Sequence, residues 1–383
     1  MEELKKYALG DICSRLSSGK SISSDEVYDE GPFPVIGGNG IRGYSFKSNF
    51  SGECGVIGRQ GAYCGNVRYF SGDAYMTEHA VVVVGNDNAD TRYLTYLLST
   101  MHLGNLSAQS AQPGLSVKTL AKQEIYLPSI DEQRRRASIL ASIEDKIELN
   151  NRINHNLEEQ AQALYKSWFV NFDPFKSGGF VDSELGLIPY GWDVKPLGSF
   201  CSIISRGFSP KYNEASCNLV LGQRCVRNNL IDLSLARRHD PKDLGERELR
   251  KWDILINSTG MGSLGRVAQI YFSPDKLTYD SHLTLVRIME GFSPQYIGRN
   301  LLARQEEIEN MAVGSTGQTE LPRDRVRAMP ILCPPVSVMN EFGRLVESLA
   351  NLVQINLETN DSLSKERDEL LPRLMSVGFN QLA

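Results

Sequence analysis

Short apolar runs bounded by turn residues alternate along this chain with two long stretches in which apolar residues recur every three or four positions. "PFPVIGG" (32–38), "ECGVIGRQG" (53–61), "HAVVVVGN" (79–86) and "WDILINSTG" (252–260) read as strands joined by polar loops. "TRYLTYLLSTMHL" (91–103) and "PQYIGRNLLARQEEIENM" (294–311) each read as one helix. The long stretches carry seams. One is Leu140, Ile143, Ile147, Asn150, Asn154, Leu157, Ala161, Leu164 and Trp168; the other is Val346, Leu349, Val353, Asn356, Asn360, Leu363, Arg367, Leu370 and Leu374. Spacing near 3.5 residues describes a coiled coil.

Asparagine is a mediocre helix former, because its amide competes for nearby backbone groups. Both seams nevertheless place two at their centre. If the helices run antiparallel and match at their midpoints, Asn150 faces Asn360 and Asn154 faces Asn356. A slipped register would bury amides against leucine at about 1–3 kcal/mol each, so the amides act as a register lock. The bland alternative is that they face solvent on a frayed helix. Arg367 interrupts the second seam and should reach the rim. A helix of ~39 residues would span ~58 Å, which makes the pair a ruler.

The chain repeats itself. "LGDICS" (9–14) returns as "LGSFCS" (197–202), "CGNVRY" (64–69) as "LGRVAQ" (264–269), and "TEHAVVVV" (77–84) as "DSHLTLVR" (280–287). From Gln112 and Gln318 onward a constant offset of 206 pairs Leu115 with Leu321, Pro128 with Pro334, Leu140 with Val346 and Leu164 with Leu370. The order is therefore unit, helix, unit, helix: residues 1–128, 129–178, 179–335 and 336–378. The fold class is α+β, two mostly-strand α/β units separated by two long helices that form an antiparallel coiled coil, with a pseudo-twofold internal repeat. Ser129 and Glu132 fit a capping box ahead of the first helix. Arg134, Arg135 and Arg136 crowd its first turns, where the helix dipole disfavours cations; they form either a solvated face or a contact with a phosphate or acidic partner.

Composition excludes several classes. No apolar run approaches a membrane span, and the N-terminus has no apolar signal core, so a cytoplasmic location is expected. Seven scattered cysteines without CxxC suit a reducing compartment better than a zinc site or disulfide frame. Net charge is −5, which does not advertise nucleic acid. "SSGKS" (17–21) lacks the glycine a phosphate loop needs at position 14. "GGNGIRG" (37–43) and "GMGSLG" (260–265) satisfy GxGxxG, but strand or loop follows them where a dinucleotide site needs a helix; turns are expected. His79 and His282, equivalent and isolated, make a weak metal case. A methyltransferase D/N-P-P-Y/F motif and a nuclease cluster are both missing.

Groups able to pair with base edges concentrate in six loops. In the first unit they are Asn39 and Arg42; Arg59, Gln60 and Tyr63; and Gln109 and Gln112. In the second they are Gln223, Arg224, Arg227 and Asn228; Ser258, Thr259 and Arg266; and Thr316 and Gln318.

With "VIGGNGIRGY" (35–44), "GVIGRQGAYCGNV" (55–67), "QALYKSWFVNFDPF" (162–175), "LGQRCVRNNLIDLSLARRH" (221–239) and "ERDELLPRLMS" (366–376) in this order, the chain resembles the specificity subunit of type I restriction–modification enzymes. The likeness covers essentially the whole chain. It implies two target recognition domains, each reading one half of a bipartite, asymmetric double-stranded DNA site, with the helices setting the gap. It implies no catalysis by this chain. Two modification subunits would methylate adenine with S-adenosylmethionine, and restriction subunits would cleave with ATP and Mg; this chain would bind none of these cofactors. A protein-interaction scaffold without base readout is the competing reading, and a single-chain DNA-modifying enzyme a weaker one.

Overall fold

The computed structural model describes residues 4–107, 114–241, 245–314 and 319–376. Its elements run β1 (Lys5–Ala8), β2 (Cys13–Ser18), β3 (Phe33–Gly37), β4 (Gly40–Ser45), β5 (Phe50–Gly58), β6 (Val67–Met76), β7 (Ala80–Gly85), α1 (Thr91–Thr100), α2 (Val117–Ala121), β8 (Glu124–Leu127) and α3 (Ile130–Phe169). There follow β9 (Phe180–Ser183), β10 (Gly186–Pro189), β11 (Asp193–Pro196), β12 (Cys201–Arg206), β13 (Leu219–Leu221), β14 (Val226–Arg227), β15 (Leu230–Ile231), β16 (Arg237–Arg238), β17 (Ile254–Asn257), β18 (Val267–Gln269), β19 (Leu277–Tyr279) and β20 (Leu283–Ile288). The chain then continues through α4 (Pro294–Ala303), α5 (Gln305–Asn310), α6 (Arg323–Ala328), β21 (Pro330–Cys333) and α7 (Val336–Met375). Two compact units result: Met1–Leu149 with Thr359–Ala383, and Asn150–Glu358.

The first unit is built on a six-stranded sheet ordered β2-β7-β5-β6-β3-β4, antiparallel except where β3 meets β6. The unbroken run Ala80–Val84 is explained by burial on both faces. Val81 and Val83 join Ile57 against Tyr93, Leu94 and Leu97 of α1, while Val82 faces Ile36, Cys54 and Val56 on the other side. Helix α1 starts where the Asp90 carboxylate accepts the Tyr93 N–H at 2.9 Å. It lies close to the sheet because position 55 is glycine; a Cβ there would sit 2.7 Å from Thr95 Oγ1. Strand β1 pairs with β8, Lys5 opposite Leu127, and β8 carries the chain into α3.

The second unit repeats this plan with different trimmings. Strands β12-β20-β17-β18 form an antiparallel sheet, and β11 pairs with β21, Asp193 opposite Cys333. A three-stranded sheet β16-β13-β19 and the β14–β15 hairpin are additional. The helix expected over 294–311 is two helices, because Arg304 leaves helical geometry at φ −118° and ends α4 before α5 begins.

The long helices are the most regular part of the repeat: α3 and α7 are each 40 residues, with both their starts and their ends 206 apart. Within the second unit they run antiparallel. Tyr165 and Phe169 meet Phe342 at ring-centroid distances of 6.2 and 4.9 Å, Leu157 shares a buried cluster with Val353, and Asn356 Nδ2 donates to Asn154 Oδ1 at 2.8 Å. One expected amide layer is therefore formed. Asn154 Nδ2 is buried without a partner, which is the stability cost such a layer carries. Asn150 and Asn360 are buried too, at 2% and 9% exposure. Arg367 turns out of the seam to Asp368.

Within the first unit, Ala137 and Leu140 of α3 share a core with Leu370, Leu374 and Met375 of α7. The basic run resolves here. Arg135 and Arg136 both bond Glu132, and Arg136 is buried, its Nη1 donating to the Leu374 carbonyl at 3.1 Å. A guanidinium at the last carbonyls of an antiparallel neighbour is well placed against that helix's dipole. The capping box is half made: Ser129 Oγ accepts the Glu132 N–H at 3.4 Å, while the Glu132 carboxylate goes to the arginines and is held down at about 2 by them.

Polar contacts fix the core of each unit to α3. In the second unit Glu158 of α3 bonds Arg299 of α4 and accepts the Tyr271 hydroxyl at 3.2 Å, while Arg299 Nη2 donates to Tyr271 Oη at 2.7 Å. In the first, Glu144 accepts the Tyr96 hydroxyl at 2.5 Å and faces Arg92 at 3.4 Å.

Candidate nucleic-acid interface

One end of each sheet is closed by the same set of main-chain hydrogen bonds. In the first unit the Arg59 N–H donates to the His79 carbonyl at 3.0 Å, the Leu115 N–H to the Arg59 carbonyl at 2.9 Å, and the Gly65 N–H to the Gly58 carbonyl at 2.8 Å. In the second the Ser258 N–H donates to the His282 carbonyl at 2.9 Å, the Leu321 N–H to the Ser258 carbonyl at 2.9 Å, and the Gly265 N–H to the Asn257 carbonyl at 2.9 Å. Gln60 bridges Gly114 as Thr259 bridges Glu320. Gly65 and Gly265 both need the left-handed region, at φ +81° and +84°; a Cβ on Gly65 would fall 2.0 Å from Gly104 N. Arg59-Gln60-Gly61 and Ser258-Thr259-Gly260 therefore occupy one backbone frame with different side chains.

Side chains diverge within the frame. Arg59 Nη1 lies 3.5 Å from Ser18 Oγ. At the equivalent positions of the second unit the residue types are swapped, with Ser258 in the place of Arg59 and Arg206 in the place of Ser18 at the end of β12. Arg206 reaches back to the Leu321 carbonyl at 2.8 Å, the Ser281 carbonyl at 3.4 Å and Glu320 at 2.9 Å. Ser258 corrects the sequence expectation. It is fully buried, its hydroxyl 2.6 Å from Thr284 Oγ1 of the adjacent strand β20. Thr259 is half-buried with Oγ1 2.7 Å from His282 Nδ1. Beneath them the Asp280 carboxylate accepts the His282 N–H at 2.9 Å, and burial pushes its pKa up.

The other expected residues divide by exposure. Asn39, Arg42, Gln60 and Tyr63 are exposed in the first unit, and Arg59 is half-buried. Asn39 sits in the β3–β4 turn, where its carbonyl accepts Arg68 Nη1 at 2.6 Å; Arg68 was not anticipated. A Cβ on Gly38 would lie 3.0 Å from the His79 carbonyl and 3.5 Å from Arg59 N, so the 38–42 and 59–63 loops share one rim. In the second unit Arg224, Arg227, Asn228 and Arg266 are exposed. Gln223 is half-buried and its main-chain carbonyl accepts Asn257 Nδ2 at 3.1 Å. Gln109, Gln112, Thr316 and Gln318 lie outside the described residues. Arg227, Asn228 and Arg266 line a cleft of about 370 Å³ together with Asn229 and Gln305.

Both glycine-rich decoys are turns: "GGNGIRG" joins β3 to β4, and "GMGSLG" runs from β17 to β18 with no helix after it. Among the described residues no group of three His, Cys, Asp or Glu could hold a metal ion, and no helix is long and apolar enough to cross a membrane.

Each unit therefore carries one main-chain frame with its own tip residues, packed on stretches of both long helices. Residues 1–159 match the family described as type I restriction modification DNA specificity domain. Over 304 residues the chain is 29% identical to the type I restriction enzyme MjaIX specificity subunit of Methanocaldococcus jannaschii, covering 76% of this chain and 70% of that one. It is 39% identical over 142 residues to the EcoprrI specificity subunit of Escherichia coli, 36% of this chain and 35% of that one. Its fold matches the crystal structure of a type I restriction–modification S subunit from M. genitalium at a TM-score of 0.63, with 16% identity over 97% of this chain and 96% of that chain. The chain is thus similar, in sequence and in fold, to DNA sequence-specificity subunits of type I restriction–modification systems.

Proposed function

We propose that each recognition core reads one half of a bipartite, asymmetric DNA site, and that the paired helices set the unspecified gap and carry two adenine-modifying subunits. One observation supports this above the rest: a single main-chain frame presents Arg59 and Gln60 in one unit and Thr259 in the other, where Ser258 is buried, so like backbones offer unlike donors and acceptors. The outer face of α7 leaves Leu345, Leu352 and Ile355 exposed at 46%, 50% and 56%, a seven- and three-residue spacing suited to a helical partner. Catalysis, S-adenosylmethionine, ATP with Mg and base extrusion belong to the partner subunits in this reading, which acts in the cytoplasm. Much of the positive surface that grips phosphate is theirs too, so the isolated chain binds DNA weakly.

The test maps methylated adenines in cells carrying the modification subunits with this chain, without it, and with four residues inserted in each helix. The insertion lengthens each rod by ~6 Å, about two base pairs. The expected result is methylation that depends on the chain, and unchanged half-sites with a wider gap in the variant. An unaltered gap would overturn the spacing role, and tight sequence-specific binding by the purified chain alone would overturn the division of labour.

A further inference from the structure

The second unit holds Arg227 differently from the arginines around it, a distinction its sequence does not reveal. Arg227 ends strand β14 beside a two-residue turn in which Asn228 and Asn229 both adopt the left-handed region, at φ +49° and +64°. That turn is tied down. Asn229 Oδ1 accepts Gln305 Nε2 at 3.0 Å, and Gln305 Oε1 accepts the Val267 N–H at 2.8 Å, so hairpin, α5 and β18 form one unit. Arg227 Nε donates to the Arg224 carbonyl at 3.0 Å. This bond uses the one guanidinium N–H on the stem side and leaves the two terminal nitrogens, Nη1 and Nη2, as a complete fork at the mouth of the cleft.

Arg266, on the same cleft, is different. Its Nη2 donates to the Gly262 carbonyl at 2.6 Å, and Nη2 belongs to both edges on which a guanidinium can make paired bonds. One terminal nitrogen of Arg266 is therefore already shared with the backbone, whereas neither terminal nitrogen of Arg227 is. The described residues lining the cleft include no carboxylate, so it suits a ligand rich in acceptors.

We propose, resting on the DNA-reading function above, that Arg227 is a specificity-determining residue: it reads the O6 and N7 acceptors of one guanine in the half-site of the second core, while Arg266 holds a flanking phosphate. A fork pre-set by its own backbone matches the two acceptors of a guanine edge, and a single charge suffices for a phosphate.

The experiment uses the complex assembled with its modification subunits and a DNA library randomised across both half-sites, read by methylated-adenine sequencing and by binding at several salt concentrations. The variants are R227K, which keeps charge and loses the fork, R227A, and R266A. Expected for both R227K and R227A is a roughly 5- to 150-fold loss of preference for guanine at one position of one half-site, with the other half-site unchanged. R266A weakens binding across all sequences and lowers the salt slope by about one. A wild-type guanine preference in R227K assigns Arg227 to a phosphate and overturns the proposal, as does an unchanged profile in R227A. A wild-type complex with no bipartite site would instead sink the DNA-reading function itself. Arg227 is exposed, so melting curves matching wild type confirm that the variants fold.

Discussion

Replacing Glu158 by alanine tests how the second recognition core is held to its helix. The Glu158 carboxylate bonds Arg299, and the two side chains are 13% and 2% exposed. Tyr271 completes the triad, accepting from Arg299 and donating to Glu158; burial pushes its phenol up, so it stays a neutral donor. Glu158→Ala leaves the guanidinium buried with only the tyrosine oxygen, a loss of about 3–5 kcal/mol. For a unit of this size each kcal/mol moves the midpoint by about 2–4 °C, so the second unit should melt roughly 6–20 °C lower. Calorimetry of the full chain reads it. The double variant Glu158→Leu/Arg299→Met should recover most of the loss, because no charge remains buried. A single variant melting within about 2 °C of wild type, or a double variant as damaged as the sum of its singles, refutes the account.

Three further predictions concern the frame. Asn154→Leu strands the Asn356 amide and should cost about 1–3 kcal/mol in a urea titration, whereas Asn154→Leu/Asn356→Leu should regain most of it. Gly65→Ala meets both a positive φ and a Cβ 2.0 Å from Gly104 N, so it should destabilise the first unit far more than Gly61→Ala, where φ is +76° but nothing lies within 4 Å; thermal melts compare them. His239 is fully buried, with Nε2 2.8 Å from Thr278 Oγ1, and burial lowers its pKa below the ordinary value of 6.5. A base whose folded pKa is depressed contributes stability above its unfolded pKa and loses it as pH falls. The urea midpoint gap between wild type and His239→Gln should therefore be widest near pH 8 and shrink below about 6.5; a gap constant with pH would contradict the assignment.

The sequence made periodic features legible and left compensations hidden. Seams at 3.5-residue spacing located α3 and α7, and the 206-residue offset placed their ends in step, because burial on one stripe imposes that period on the residues themselves. The Asn154–Asn356 layer followed from the same counting. Other features depend on neighbours brought together only by the fold. Glu158 and Arg299 are 141 positions apart, and nothing local marks them as partners. Arg136 looked misplaced in a first helical turn until an antiparallel neighbour supplied carbonyls for it to cap. Ser258 looked like a loop reader because the Thr284 hydroxyl that holds it in the core is 26 positions away. The break at Arg304 carries no proline or glycine to announce it.

The tips of the two cores are closed by bonds between peptide groups, which every residue type except proline can supply. Amino acids at positions 59, 60 and 259 can therefore be rewritten without dismantling the turn that displays them. On the proposed function, such a chain would acquire a new DNA target one half at a time, keeping the old half in service while the other is revised.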